Sequence, residues 1–109
     1  MDVRNFIGKS VVIKIKQPLG SKHPYQNITY LTNFGYIPAT ISGLGKNVYA
    51  YVLGIFEPIE VFEGTCIAII HHSYNNNDTL VVAPYGKNYS NAQINALTEF
   101  QEDFFEIIR

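Results

Sequence analysis

The sequence predicts a mainly β protein, a small OB-like five-stranded β-barrel with a C-terminal amphipathic helix packed on its side. Two observations carry this prediction. Between residues 9 and 84, short apolar segments, several of them alternating with a period of two, recur between turns bearing glycine or proline. From Ser90 onward the apolar spacing changes to three and four, the period of a helix. The 109 residues suffice for one domain with one hydrophobic core and are too few for two, so residues 1–109 are read as a single unit.

The first segment, Lys9 to Gln17, sets Val11, Ile13 and Ile15 against Val12, Lys14 and Lys16, the alternation of a half-buried strand. Pro18-Leu19-Gly20 ends it, and Ser21-Lys22-His23-Pro24 continues as loop. A second extended segment is expected from Ile28 to Tyr36. The glycine-rich turn Ser42-Gly43-Leu44-Gly45-Lys46-Asn47 separates it from Val48 to Leu53. In that third segment Val48, Ala50 and Val52 face one way and Tyr49, Tyr51 and Leu53 the other. Further turns are read at Glu57-Pro58 and Glu63-Gly64. Cys66-Ile67-Ala68-Ile69-Ile70 is apolar without a break, as a strand covered on both faces would be. The polar loop Ser73 to Asp78 leads to a last strand, Leu80 to Pro84. Ser90 with Gln93 three residues on is a capping-box pair, and Ile94, Leu97, Phe100, Phe104 and Ile108 would form the helix's buried face.

Composition narrows the partners. Apolar residues are 47% and charged residues 16%, a globular balance, and the net charge is −1 with only 8 Lys and Arg. No global positive field is available for gripping nucleic acid or an anionic membrane. The N-terminal residues show no signal-peptide apolar region, no apolar stretch is long enough to span a bilayer, and a cytoplasmic location is expected. Cys66 is the one cysteine and cannot form an intrachain disulfide. Gly8-Lys9-Ser10 lacks the upstream glycine of a P-loop and precedes a strand, so it is read as none. His71 and His72 are adjacent and would point to opposite faces of a strand, which excludes chelation by the pair.

Asn33-Phe34-Gly35-Tyr36-Ile37, followed by a glycine turn and a strand, resembles the hallmark of the soluble (family I) inorganic pyrophosphatases, Asn-Tyr-Gly-Tyr-Ile leading into Asp-Gly-Asp-Pro-x-Asp. The resemblance runs from Gly8 to Arg109 and is closest to a short bacterial branch of that family. Pro18 to Pro24, Ala50 to Gly54 and Leu80 to Pro84 share in it. It implies the pyrophosphatase barrel and, in the family's active members, hydrolysis of diphosphate to two phosphates with several Mg²⁺ ions. Such ions need hard oxygen ligands, and clustered metals supply hydroxide at neutral pH and neutralise the leaving phosphate.

On this sequence the three aspartates of the motif fall on Leu44, Lys46 and Tyr49, and the glutamate of the first strand falls on Lys14. A lysine standing where a divalent cation should sit is repelled from it by several kcal/mol, at ~4 Å and an effective dielectric of ~20. In the second acidic loop only Asp78 is acidic. The hallmark tyrosine is Phe34, the helical Tyr-Lys pair is Phe104-Phe105, and a basic position is Thr79, while Lys22 matches a retained phosphate-binding lysine.

These positions imply a catalytically inactive relative that binds, and sequesters, a small phosphorylated ligand such as a nucleotide or nucleotide-derived signal without a cofactor. The candidate ligand-binding residues are Lys14, Lys22, Tyr36, Lys46, Tyr49 and Tyr51, with no catalytic or metal-binding residue. Ammonium groups neutralise phosphate directly and tyrosines stack on a base. The same lysines also read as ordinary solvated strand and turn residues. Two alternatives stay open. One is an Mg²⁺-dependent diphosphatase of weak activity using Asp78, with Glu57, Glu60 or Glu63 as further candidates. The other is a protein-interaction module on the same scaffold, and a homo-oligomer is compatible with each.

Overall fold

The alternation read from the sequence becomes the inside and outside of a barrel. The computed structural model describes residues 2–72, 78–102 and 105–109. Five strands close on themselves: β1 (Ser10–Gln17), β2 (Asn33–Ile37), β3 (Val48–Val52), β4 (Val61–His71) and β5 (Thr79–Ala83). Their order is β1-β2-β3-β5-β4, with β4 pairing back to β1, and β3 and β5 are parallel while the other pairs are antiparallel. That order is the OB arrangement expected. A 3-10 turn over Val3–Phe6 precedes β1, and a single-turn helix α1 (Ala39–Ser42) follows β2.

Closing so small a barrel needs strands that bend, and two irregularities supply the bends. β1 shifts register between Ile15 and Gln17, with one end paired to β4 and the other to β2. β4 shifts between Cys66 and Ala68, which moves its buried side chains from one face to the other. Cys66 and Ile69 enter the barrel interior with Val11, Ile13, Ala50 and Leu80. Ala68 and Ile70 face outward, where with Tyr51, Leu53, Val81 and Ile94 they form a second core.

That second core lies under helix α2 (Asn91–Thr98), which carries Ile94. The Ser90 hydroxyl accepts from the Gln93 backbone at 3.1 Å and the Gln93 side chain accepts from Ser90 N–H at 2.8 Å, the capping box read from the sequence.

The structure corrects the C-terminal prediction. The helix ends at Thr98, and Glu106–Ile108 is a sixth strand, β6, paired to β4 at Ile69, Ile70 and His71. Phenylalanine and isoleucine have modest helix propensity, while paired isoleucines cover the otherwise open edge of β4. Phe104, one of the expected helix-face residues, lies outside the described residues, as does most of the loop expected over Ser73 to Asp78.

Two smaller expectations also change. Glu63-Gly64 is not a turn but the middle of β4, opposite Val12 and Val11. The second extended segment starts as β2 only at Asn33, preceded by an isolated bridge between Lys22 and Thr29.

Candidate functional site

Gly35 lets β1 and β2 approach closely enough to place the next strand. A Cβ on Gly35 would stand 2.1 Å from the Lys14 carbonyl oxygen and 2.8 Å from Ile15 Cα, both backbone atoms with little room to yield. Asn33, fully buried, ties the surrounding loops together: its Oδ1 accepts from Leu19 N–H at 2.9 Å and Ile59 N–H at 3.3 Å, and its Nδ2 donates to Glu57 O at 2.9 Å. Both positions belong to the hallmark segment, and both serve architecture rather than chemistry.

The glycine-rich turn is held just as firmly. Gly43 ends α1 in the left-handed region at φ 76°, as a helix C-cap requires. Buried Ser42 donates to Lys46 O at 2.7 Å and accepts from Leu44 N–H at 3.1 Å, and the Asn47 side chain accepts from Ala39 N–H at 2.8 Å. The turn therefore delivers Lys46 and then Tyr49 to one end of the barrel.

There they line a cavity of about 600 Å³ together with Phe34, Asp78, Thr79 and the pair His72 and Glu102. Five positions matched to functional sites of the family motif (Phe34, Lys46, Tyr49, Asp78 and Thr79) thus converge on one cavity, although the first and last lie 45 positions apart in the chain.

The other candidates are placed differently. Tyr36 stands beside the cavity, its ring centroid 6.2 Å from that of Tyr49. Lys14 is the cross-strand partner of Tyr36 but lines a separate, mostly apolar groove with Phe6, Ile41 and Val61. Lys22 is exposed on the loop that carries the bridge to Thr29. Tyr51 is sealed inside the second core, so its ring has no face open to a ligand. Leu44 packs partly buried against the barrel interior.

A polar chain that the sequence reading missed lies behind the cavity. The Tyr51 hydroxyl donates to Glu102 Oε2 at 2.5 Å, and Glu102 Oε1 pairs with His72 Nε2. Burial first, and then the Glu102 carboxylate beside it, push the Tyr51 phenol well above its ordinary range. At the cavity's edge His71 Nδ1 meets Asp78 Oδ1 at 2.6 Å. Each of the two histidines has thus acquired a carboxylate. No sequence signal announced Glu102, because its neighbours were read as a continuing helix.

Among the described lining residues, few carboxylate oxygens are free for a magnesium cluster. Both oxygens of Glu102 are engaged, one oxygen of Asp78 is engaged, and Lys46 brings a positive charge. Among the described residues no group of three or more His, Cys, Asp or Glu side chains is arranged to hold a metal ion. Hard divalent cations need several free oxygens converging on one point.

The fold defines a class, an OB-type barrel with the short helix α2 on its side and an added edge strand. Solved structures sharpen it to a pyrophosphatase-like fold. The chain is similar to an inorganic pyrophosphatase from Ehrlichia chaffeensis, with TM-score 0.63 and 14% identity over 86% of this chain and 80% of that one. It is similar to the inorganic pyrophosphatase of Helicobacter pylori, with TM-score 0.62 and 15% identity over 91% and 81%. A structure described as an inorganic phosphatase from Anaplasma phagocytophilum gives TM-score 0.60 and 16% identity over 87% and 75%. No protein-family model and no curated protein matches the sequence. No helix among the described residues is long and apolar enough to cross a membrane.

Proposed function

We propose that this protein binds a small phosphorylated molecule without metal, in the cavity bearing Lys46, and that it does not hydrolyse diphosphate. One observation carries the reading: the turn that holds metal-binding aspartates in the resembled family delivers Lys46 and Tyr49 to this cavity instead. A lysine ammonium is a compact cation able to neutralise phosphate on its own. The two carboxylates at the cavity are each bonded to a histidine, which tempers their repulsion toward an anion. A nucleotide or nucleotide-derived signal is the ligand class, and sequestering it in the cytoplasm is the role. Among the original lysine candidates, the reading now rests on Lys46 rather than on Lys14 or Lys22, which lie elsewhere. Self-association through the exposed strip Val12, Ile41 and Val61 is a further part of the proposal, checked by light scattering.

Calorimetric titration of AMP and of inorganic pyrophosphate, each in chelator and again in millimolar Mg²⁺, tests the ligand reading. Binding is expected in chelator, with Lys46→Ala weakening it about tenfold, the effect of losing one charge-assisted hydrogen bond. Binding that needs Mg²⁺, accompanied by phosphate release that Asp78→Asn abolishes, would establish a weak diphosphatase instead.

A further inference from the structure

Next to the Lys46 cavity lies a smaller slot of about 290 Å³, and Phe34, Tyr49 and Gln101 line both. The two spaces are therefore neighbours that share walls, with different chemistry. The cavity holds most of the charged groups, whereas the slot is walled by rings: His23, Tyr25 and Tyr30 join Phe34 and Tyr49 there, with the cation Lys16.

The rings are ordered. Phe34 and Tyr49 lie parallel, 2° apart at 5.9 Å between centroids, and His23 lies nearly parallel to Tyr30 at 13° and 6.3 Å. His23 is fixed because its Nδ1 accepts from the backbone N–H of Tyr25 at 3.1 Å and of Gln26 at 3.2 Å. Tyr25, held by that same turn, is 92% exposed. An aromatic side chain presented to water on a pinned turn, beside other rings, has an open face that a planar molecule would cover.

Gln101 stands at the junction. Its side chain bonds the Tyr30 phenol, but its Oε1 is buried without a hydrogen-bond partner, a state that costs roughly 1–3 kcal/mol. A ligand with ring N–H or amino groups, seated between slot and cavity, brings the missing donor once the amide turns toward it.

We infer that the slot formed by Tyr25, His23, Tyr49 and Lys16 is a base-binding subsite, taking the nucleobase of the nucleotide whose phosphate lies at Lys46. The inference rests on the phosphate reading above and adds what that reading lacks, a reason for preferring a nucleotide to a simple phosphate. It also moves base stacking away from Tyr51, which is sealed, and onto Tyr25 and His23, which had not been singled out, beside Tyr49, which had.

Four probes in chelator separate the two ideas: AMP, ribose 5-phosphate, adenosine and inorganic phosphate. AMP should bind at least tenfold more tightly than ribose 5-phosphate, and AMP and adenosine should both quench tyrosine fluorescence, which the absence of tryptophan makes easy to follow. Tyr25→Ala, at an exposed position, should erase the AMP advantage and leave ribose 5-phosphate unchanged. Gln101→Leu should also weaken AMP selectively. Equal affinities for AMP and ribose 5-phosphate, or a Tyr25→Ala variant with the full preference, overturn the base subsite and leave the phosphate reading standing. Adenosine binding as tightly as AMP overturns the phosphate reading while keeping the slot. Silence from all four probes overturns both.

Discussion

The barrel interior and the layer beneath α2 are built from the same strands yet differ in kind. The interior packs Val11, Ile13, Ala50, Ile69, Leu80 and Val82, and its titratable member is Cys66, whose thiol burial pushes up to about 11. The outer layer admits the buried phenol of Tyr51 and, behind it, the Glu102–His72 pair. An apolar interior can be dense and featureless because barrel closure asks only for volume. A polar chain buried under a helix is tolerable only if each member finds a partner, and this one runs from the second core to the candidate cavity. The molecule thus keeps stability and candidate chemistry in separate layers, joined by the two faces of β3.

The largest test of that separation is Gly35→Ala, since the added methyl meets the β1 backbone at Lys14 and Ile15. It should cost more than about 4 kcal/mol in urea unfolding, in the range reserved for outright steric failure. A cost under 1 kcal/mol would show that β1 and β2 can part without harm to the barrel. Next, Ile69→Ala in the interior should lose about 2–5 kcal/mol through lost burial and a residual cavity, with ligand affinity at the cavity unchanged once folded. A parallel fall in affinity would mean that the two layers are coupled.

Tyr51→Phe probes the other layer more gently. It removes the donor to Glu102 while keeping the ring, so about 1–3 kcal/mol should be lost, and a double-mutant cycle with Glu102→Gln should show non-additivity. Additive losses would mean that the two side chains do not act together.

The smallest effect is alkaline. Cys66 and Tyr51 both hold their protons more tightly when folded than at their ordinary values of 9.0 and 10.0, so the unfolded chain binds fewer protons above those values. Stability is therefore full below pH 9 and falls as pH rises, first through Cys66 and then through Tyr51, by at most about 1.4 kcal/mol per pH unit for each group. Melting temperature recorded from pH 8 to 11 should decline, and Tyr51→Phe should flatten the upper part of the curve. A flat profile in the unaltered protein would place both groups in contact with water.

How much of this was legible beforehand depended on whether the signal was local. Strand alternation and short apolar runs are properties of consecutive residues, so β1, β3 and β5 and the inward sets Val11-Ile13 and Val48-Ala50-Val52 could be read directly. The Ser90–Gln93 cap is equally local. Glu106–Ile108 continued a helical period but became a strand, because the exposed edge of β4 offers backbone hydrogen bonds that no period can reveal. The candidate site was half legible: motif spacing nominated Lys46 and Tyr49, while Lys14, chosen on the same grounds, lines a different groove.

By itself the sequence determined the barrel's inner face, the turn that carries Lys46 and the start of α2. Tertiary structure alone decided that Tyr51 is sealed rather than offered, that Glu102 closes a polar chain with Tyr51 and His72, and that the Tyr25 slot adjoins the Lys46 cavity. The reason is distance along the chain. Neighbours within a few residues share one element and leave a period behind, whereas partners 30 or 51 residues apart, as in His72–Glu102 and Tyr51–Glu102, meet only where the closed sheet brings them together.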